Sequence, residues 1–281
     1  MSGFSADWLA LREPADHAAR SRALLDELCA HLARRDSVRV VDLGCGTGSN
    51  LRAMAAFLPK RQHWRLVDHD PALLARARGV LAAWADRSAS ADGELRLAKA
   101  GREITVSFMA ADLAGDIEAV LTGPADLISA AAFFDLVSSP WIRRLALLAA
   151  GRDAAFYAAL NYDGAETWLP AHPADAQMLA AFHAHQQRDK GFGVSAGPRS
   201  GAVLAETFGR LGYAVREAAS PWRLGPGEQA LVAAIARGIA SAVAETGLVP
   251  ASVVRDWLAR RLEGAACRIG HTDLLALPAG R

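Results

Sequence analysis

Cysteine is scarce in this 281-residue chain: Cys29, Cys45 and Cys267 are its three, far apart in sequence. No CxxC pair or Cys/His cluster offers a zinc ligand set, and an odd, scattered count argues against a disulfide scaffold. An excess of charge is lacking too. Thirty-one Lys and Arg face 30 Asp and Glu, a formal net charge of +1. That balance gives no general pull toward nucleic acid or an anionic membrane. No stretch approaches the roughly 18 uncharged apolar residues of a membrane helix. Asp7, Arg12, Glu13 and Asp16 stand where a signal peptide would need its apolar core. The expectation is a soluble cytoplasmic protein. No internal repeat period is visible. What is present is apolar mass: 52% of residues are hydrophobic and 22% charged, enough to bury a sizeable core.

Hydrophobic periodicity then divides the chain. Ala18, Leu24, Leu25, Leu28 and Leu32 mark one face of a helix over 17–35. Val38, Val40, Val41 and Leu43 form a short β-branched strand that runs into a glycine-rich turn, after which Leu51, Met54, Ala55 and Leu58 restore helical spacing. A second strand covers 63–68, and Pro71 opens a helix lasting to about Trp84. Residues 87–93 are polar and read as a loop, followed by a hairpin of 94–98 and 103–110. Strands over 125–129 and 154–160 flank a helix near 141–150.

This β-α-β-α-β alternation predicts an α/β fold, a Rossmann-like doubly wound and mostly parallel sheet. After Asn161 the pattern breaks. A helix falls within 170–190, the Gly191-Phe192-Gly193 run reads as a mobile loop, and a helix over 200–211 and a strand over 213–217 restore the rhythm. Two helices, 227–245 and 251–262, precede a closing strand over 272–277. The whole chain, 1–281, reads as one domain carrying helical insertions at 161–200 and 219–265.

The strongest chemical signal is Asp42-Leu43-Gly44-Cys45-Gly46-Thr47-Gly48-Ser49-Asn50. Glycines at 44, 46 and 48 let the backbone turn tightly from strand to helix and leave no Cβ between it and a ligand. The next helix presents free N–H groups and a positive end. A nicotinamide enzyme would use a GxGxxG spacing, which is compressed here, and Asp42 would be misplaced beside a pyrophosphate. A carboxylate there suits a ligand that carries an ammonium group.

On these residues the sequence resembles the class I S-adenosylmethionine-dependent methyltransferases. The likeness covers about 38–160 well, with 198–277 as the distal strands. It implies a seven-stranded sheet with an antiparallel last strand and S-adenosyl-L-methionine as cofactor, leaving as S-adenosyl-L-homocysteine. By the same resemblance, Asp42, Gly44, Cys45, Gly46, Gly48 and Asn50 hold the methionine end. Asp68, with His69 beside it, holds the ribose hydroxyls through a charge-assisted bidentate pair. Asp112 and Leu113 border the adenine, and Ser129 the sulfonium side. The family joins its last two strands by a short hairpin, where this chain inserts 219–265. Asp70 reads as a helix cap ahead of Pro71, and Cys45 as a small structural residue.

Methyl transfer from a sulfonium needs chiefly alignment and exclusion of water. Acceptor residues are sought after the fourth and fifth strands, at the carboxyl ends where ligands of such sheets gather. Phe133, Asp135, Asn161 and Tyr162 stand there. Core packing for Phe133 and helix capping for Asp135 are the plain alternatives. The Asn/Asp-Pro-Pro-aromatic signature of amino-methylating enzymes is absent, as is the acidic set of a magnesium-dependent catechol-type enzyme. A metal-independent reaction on the oxygen or nitrogen of a small molecule is therefore expected, without nucleic-acid or membrane partners, in a monomer or homodimer. Phe182, His185, Gln186 and Asp189 share one helix face. If that face covers the site, His185 is the natural general base, with Asp135 the other catalytic candidate and Gln186 and Trp222 lining the acceptor. A non-catalytic cofactor binder or scaffold is the alternative from a different class, and a nicotinamide oxidoreductase a third.

Overall fold

The computed structural model describes residues 4–279. Five strands run parallel through one sheet: β1 (Ser37–Leu43), β2 (Arg61–Asp68), β5 (Arg102–Ala110), β6 (Leu127–Ala131) and β7 (Ala155–Leu169). β10 (Ala266–Leu277) is antiparallel to β7 and to β8 (Ala214–Ala219) at the far edge. At the opposite edge β3 (Arg87–Ala91) and β4 (Glu94–Lys99) add an antiparallel meander to β5, and β9 (Trp222–Leu224) pairs with the start of β10. The order is β3-β4-β5-β2-β1-β6-β7-β10-β8. The expected seven strands with an antiparallel last strand are all present, inside a ten-stranded sheet.

Each face of the sheet is covered by helices whose apolar stripes match the strands beneath. On one side α5 (Leu113–Val120), α6 (Ser139–Ala150) and α8 (Ser200–Arg210) bury Ile117, Ile142, Leu145, Leu204 and Phe208. On the other, α2 (Arg22–Leu32), α3 (Ser49–Met54) and α4 (Pro71–Trp84) bury Leu28, Leu32, Leu51, Met54 and Leu81. Each such side chain contributes about 1.5–3 kcal/mol by leaving water. A third apolar cluster joins α7 (Asp175–Gln186), α9 (Gln229–Thr246) and α10 (Ala251–Leu262) to Tyr162, Trp168, Cys267 and Ile269 on the outer halves of β7 and β10. The two insertions thus share one core. None of the described helices is long and apolar enough to cross a membrane.

Three local readings change. The helix expected over 17–35 is two: α1 (Ala6–Ala19) runs through Pro14, and Arg20 and Ser21 are extended before α2 begins. Ser21 spends its N–H on Asp273 Oδ2 (2.9 Å) and its hydroxyl on Leu24 N–H, so the break is a built corner. Residues 87–91, polar enough to read as loop, form an edge strand with its side chains largely in solvent. β7 does not end at Asn161. It crosses the turn-like Asp163-Gly164 pair and continues to Leu169, because β10 accommodates it with register shifts around Gly270 and Asp273. An ideal Cβ on Gly270 would lie 2.0 Å from Asp163 Oδ1, so the Asp163 carboxylate occupies the space a side chain at 270 would need.

Candidate functional site

The carboxyl ends of β1, β2 and β6 meet under the glycine turn. Gly44, Gly46 and Gly48 adopt φ of 64°, 52° and 77°, the left-handed region that glycine enters without strain. Cys45 N–H donates to Val67 O (3.0 Å), which ties the turn to β2, while its side chain is buried in the core. Burial holds the Cys45 thiol well above its ordinary pKa, so it is an inert packing group.

Asp42 is fully buried at the end of β1. Its Oδ1 accepts from Asn50 Nδ2 at 2.6 Å, and the same amide donates to Ser129 Oγ at 2.9 Å. Asp42 Oδ2 and Asn50 Oδ1 have no partner among the described residues. Burial pushes the Asp42 pKa up to about 7, opposed by the Asn50 hydrogen bond and the Arg20 charge.

Asp68, at the end of β2, accepts from Gly46 N–H at 2.8 Å through Oδ2 and from Asp70 N–H at 3.0 Å through Oδ1. It therefore pins the glycine turn directly. His69 is exposed, with Nδ1 3.3 Å from Asp68 Oδ1. Asp70 caps α4 through Ala72 N–H, as its place before Pro71 suggests. Asp112 is exposed and caps α5 through Ala114 N–H (3.0 Å); Leu113 O accepts from Trp141 Nε1 (2.8 Å).

Beyond β6, Phe133 sits in an aromatic group, its ring centre 5.5, 5.6 and 5.8 Å from those of Phe134, Trp141 and Phe192. Phe192 comes from the Gly-Phe-Gly loop. Asp135 follows, half-buried, its pKa raised by burial against the opposing charges of Arg12 and Lys190. On β7, Asn161 donates to Thr272 O (2.9 Å), which leaves its buried Oδ1 without a partner. Tyr162 OH lies 2.8 Å from Glu166 Oε1 and 3.1 Å from His183 Nε2. Burial and the neighbouring Glu166 raise the Tyr162 pKa, so the phenol keeps its proton.

His185 does not share that contact. Its Nε2 pairs with Glu245 Oε2 on α9 at 3.0 Å, and His183 is the α7 histidine that meets β7. Gln186 Oε1 is buried and has no partner among the described residues. Trp222 Nε1 donates to Asp16 Oδ1 (3.0 Å), and its ring centre lies 5.0 Å from that of His271.

No protein-family model matches this sequence, and no curated protein matches it. Solved structures do align with it. A cyclopropane-fatty-acyl-phospholipid synthase-like protein from Lactobacillus casei is 14% identical, covering 98% of this chain and 95% of its own, with a TM-score of 0.53. The cyclopropane synthase MmaA2 from Mycobacterium tuberculosis is 13% identical over 97% and 94%, with a TM-score of 0.50. A SAM-dependent methyltransferase from Geobacter sulfurreducens, solved with S-adenosyl-L-homocysteine, aligns more loosely: 17% identity over 99% and 100%, TM-score 0.46. The fold is that of the class I S-adenosylmethionine-dependent methyltransferases.

The residues at the glycine turn fit an S-adenosyl group. Three left-handed glycines leave the turn without a Cβ, Asp68 holds it in place, and a buried carboxylate oxygen on Asp42 lacks a donor among the described residues. The cover over the turn is made of side chains. Ideal Cβ positions on Gly44 and Gly46 fall 2.8 Å from Phe133 Cδ2 and Leu9 Cδ1. Leu9 belongs to α1, which is fastened here by the Glu13–Arg52 ion pair and by His17 Nε2 against Ser49 Oγ (3.0 Å).

That helix is what sequence reasoning missed. Trp8, Arg12, Asp16 and Arg20 recur every four residues, a spacing that places them on one helical face. Arg12 binds Asp16 in bidentate fashion (2.9 and 3.2 Å) and stacks 5.1 Å from the Trp222 ring centre. His271, opposite Tyr162 in the β10–β7 pairing, was missed as well. It is buried, its Nδ1 lacks a partner among the described residues, and burial with the Arg12 charge lowers its pKa to about 3. A histidine in a strand that also carries Arg268, Thr272 and Asp273 gives no periodic signal, so nothing short of the pairing register would have found it.

Proposed function

We propose that the protein transfers a methyl group from S-adenosylmethionine to an oxygen or nitrogen of a small molecule, without a metal ion. The observation that carries this reading is the convergence of Asp42, Asp68 and Asn50 on one left-handed glycine turn, with a buried acceptor atom of Asp42 unfilled. When bound, the cofactor supplies an electrophilic methyl on a sulfonium. Asp68 orients the nucleoside while bracing the turn, and Asn50 and Ser129 fix the Asp42 carboxylate.

The acceptor then lies against Phe133, Asp135, Tyr162, Trp222 and His271. Asp135, whose raised pKa makes it a readier proton acceptor than a surface carboxylate, takes the proton released by an O–H or N–H acceptor. Tyr162 stays protonated, gives its one hydroxyl proton to Glu166 and meets His183 Nε2, so it is its firmly held ring that packs against the acceptor. His271 is neutral across the physiological range and serves as a hydrogen-bond partner. The helical insertions keep water away by packing over the outer sheet. His183, not His185, meets Tyr162, and the general-base role expected of His185 falls in this reading to Asp135.

Calorimetry with S-adenosyl-L-homocysteine tests the reading. Asp68→Ala should weaken binding at least about tenfold, the loss of one charged hydrogen-bond set. Unchanged affinity rejects the assigned pocket. One observation favours a second reading, a non-catalytic cofactor binder: Phe133 and Leu9 already cover the glycine turn. It requires cofactor binding without any methylated product when labelled donor is supplied with a metabolite extract. Labelled product rejects it.

A further inference from the structure

Three strands bring a row of rings together at the outer part of the sheet. Trp222 on β9 pairs with Ile269 on β10, His271 stands two residues further on, and Tyr162 faces His271 across the β10–β7 register. The ring centres of Trp222 and His271 are 5.0 Å apart, and those of His271 and Tyr162 are 6.2 Å apart. α1 packs on β9 with Trp8, Arg12 and Asp16 on one helical face. Arg12 Cζ lies 5.1 Å from the Trp222 ring centre and 6.0 Å from that of Trp8, so its guanidinium rests against two indoles.

Asp16 locks that guanidinium in place. Its carboxylate accepts from Arg12 Nε at 2.9 Å and Nη2 at 3.2 Å, and from Trp222 Nε1 at 3.0 Å. Arg12 Nη1 takes no part: it has no hydrogen-bond partner among the described residues and is not sealed from water. Two neighbours share the deficit. Trp8 Nε1 is buried without a partner among the described residues, and so is Nδ1 of His271, itself only 6% exposed. Arginine and indole nitrogens can only donate. The unfilled capacity is therefore for an oxygen that accepts, and an incoming ammonium would meet donors and a like charge. Arg12, and not Asp16, is the charge that His271 feels. The surrounding walls are the rings of Trp222 and Tyr162, which suit a flat aromatic body.

We propose that Arg12 and Trp8 form a carboxylate-binding subsite for the methyl acceptor, which is a small aromatic acid. This assignment rests on the reading of the region as the acceptor site and names the substrate class. The carboxylate is a handle: it anchors one end of the molecule, no bond to it forms or breaks, and the hydroxyl or amine to be methylated is left for Asp135. His271 is neutral and adds one further hydrogen bond without adding charge. α1 thereby serves both ends of the reaction, since Leu9 covers the glycine turn one residue after Trp8.

The experiment is calorimetry on the full chain with three fragments of one size: benzoate, benzamide and benzylamine. Each is titrated with and without saturating S-adenosyl-L-homocysteine. Benzoate should bind about 10- to 100-fold more tightly than benzamide, the range expected for a charged hydrogen bond, and benzylamine more weakly still. Arg12→Gln should remove the preference for benzoate and leave benzamide binding as it was. A merely structural Arg12 would weaken both alike; that result, or a preference that survives the substitution, overturns the proposal. Trp8→Phe keeps a ring and removes one donor, so it decides where Arg12→Gln does not fold. Its affinity for benzoate should fall about tenfold, and an unchanged affinity overturns the proposal. A wild-type chain that binds benzoate no better than benzamide, or not at all, overturns it too. S-adenosyl-L-homocysteine is the separate control. If it does not bind, the cofactor reading fails, while the benzoate preference measured in its absence still decides the carboxylate subsite.

Discussion

Asp273, fully buried on β10, accepts from Ser21 N–H (2.9 Å), Tyr157 OH (2.8 Å) and Leu160 N–H (2.9 Å). Three donors, one from the α1–α2 corner and two from β7, converge on one carboxylate, which fixes that corner against the sheet. Asp273→Asn turns one acceptor into a donor facing donors, and should cost roughly 3 kcal/mol in a urea melt. His271 makes a pH-dependent contribution. Its pKa falls from 6.5 to about 3 on folding, so its stabilising effect is complete above 6.5 and is lost as the pH drops toward 3. Asp42 has the opposite sign: raised from 3.8 to about 7, it favours the fold most below 3.8 and loses that effect as the pH climbs through 7. His271→Gln should therefore flatten the loss of stability between pH 6.5 and 4 measured by urea midpoints. An unchanged acid limb would contradict the buried neutral imidazole. At this scale the sequence exposed the residues with a motif around them, Asp42, the glycines and Asp68. It hid Arg12 and His271, whose meaning comes from burial and from the side chains packed on them.

Elements show where periodicity succeeds. α10 coincides with the expected 251–262, because Val254 and Trp257 mark its apolar face and Gly264 follows its end. The break at Arg20–Ser21 was invisible because Ala18 and Leu25, seven residues apart, stay in helical phase across it. β7 and β10 were read short for a different reason: their outer halves alternate around turn-like residues and are completed by the insertions packed on them. Arg261 fastens that unit. Its side chain is fully buried between the rings of Trp168 and Trp257 and bonds to Pro170 O and Asp175. Arg261→Ala should lower stability by ~3 kcal/mol, since it removes the counter-charge of Asp175 and the donor to Pro170 O and leaves a cavity between two tryptophans. A change under about 0.5 kcal/mol in the same melt would show that the ion pair adds nothing beyond surface packing.

For the whole molecule, strand order was largely readable because each parallel strand is followed by a helix and the glycine turn fixes where β1 ends. The joining of two insertions, distant in sequence, into one cap was not readable, since it depends on β7 and β10 pairing outside the parallel core. The same architecture brings α1 from the chain's beginning onto the turn, so the site is built from both ends of the sequence. The most direct test is titration of the folded full-length chain with S-adenosyl-L-homocysteine. One site per chain, weakened at least about tenfold by Asp68→Ala, is the expected result. A folded protein that gives no binding heat and no thermal shift with this ligand would contradict the account.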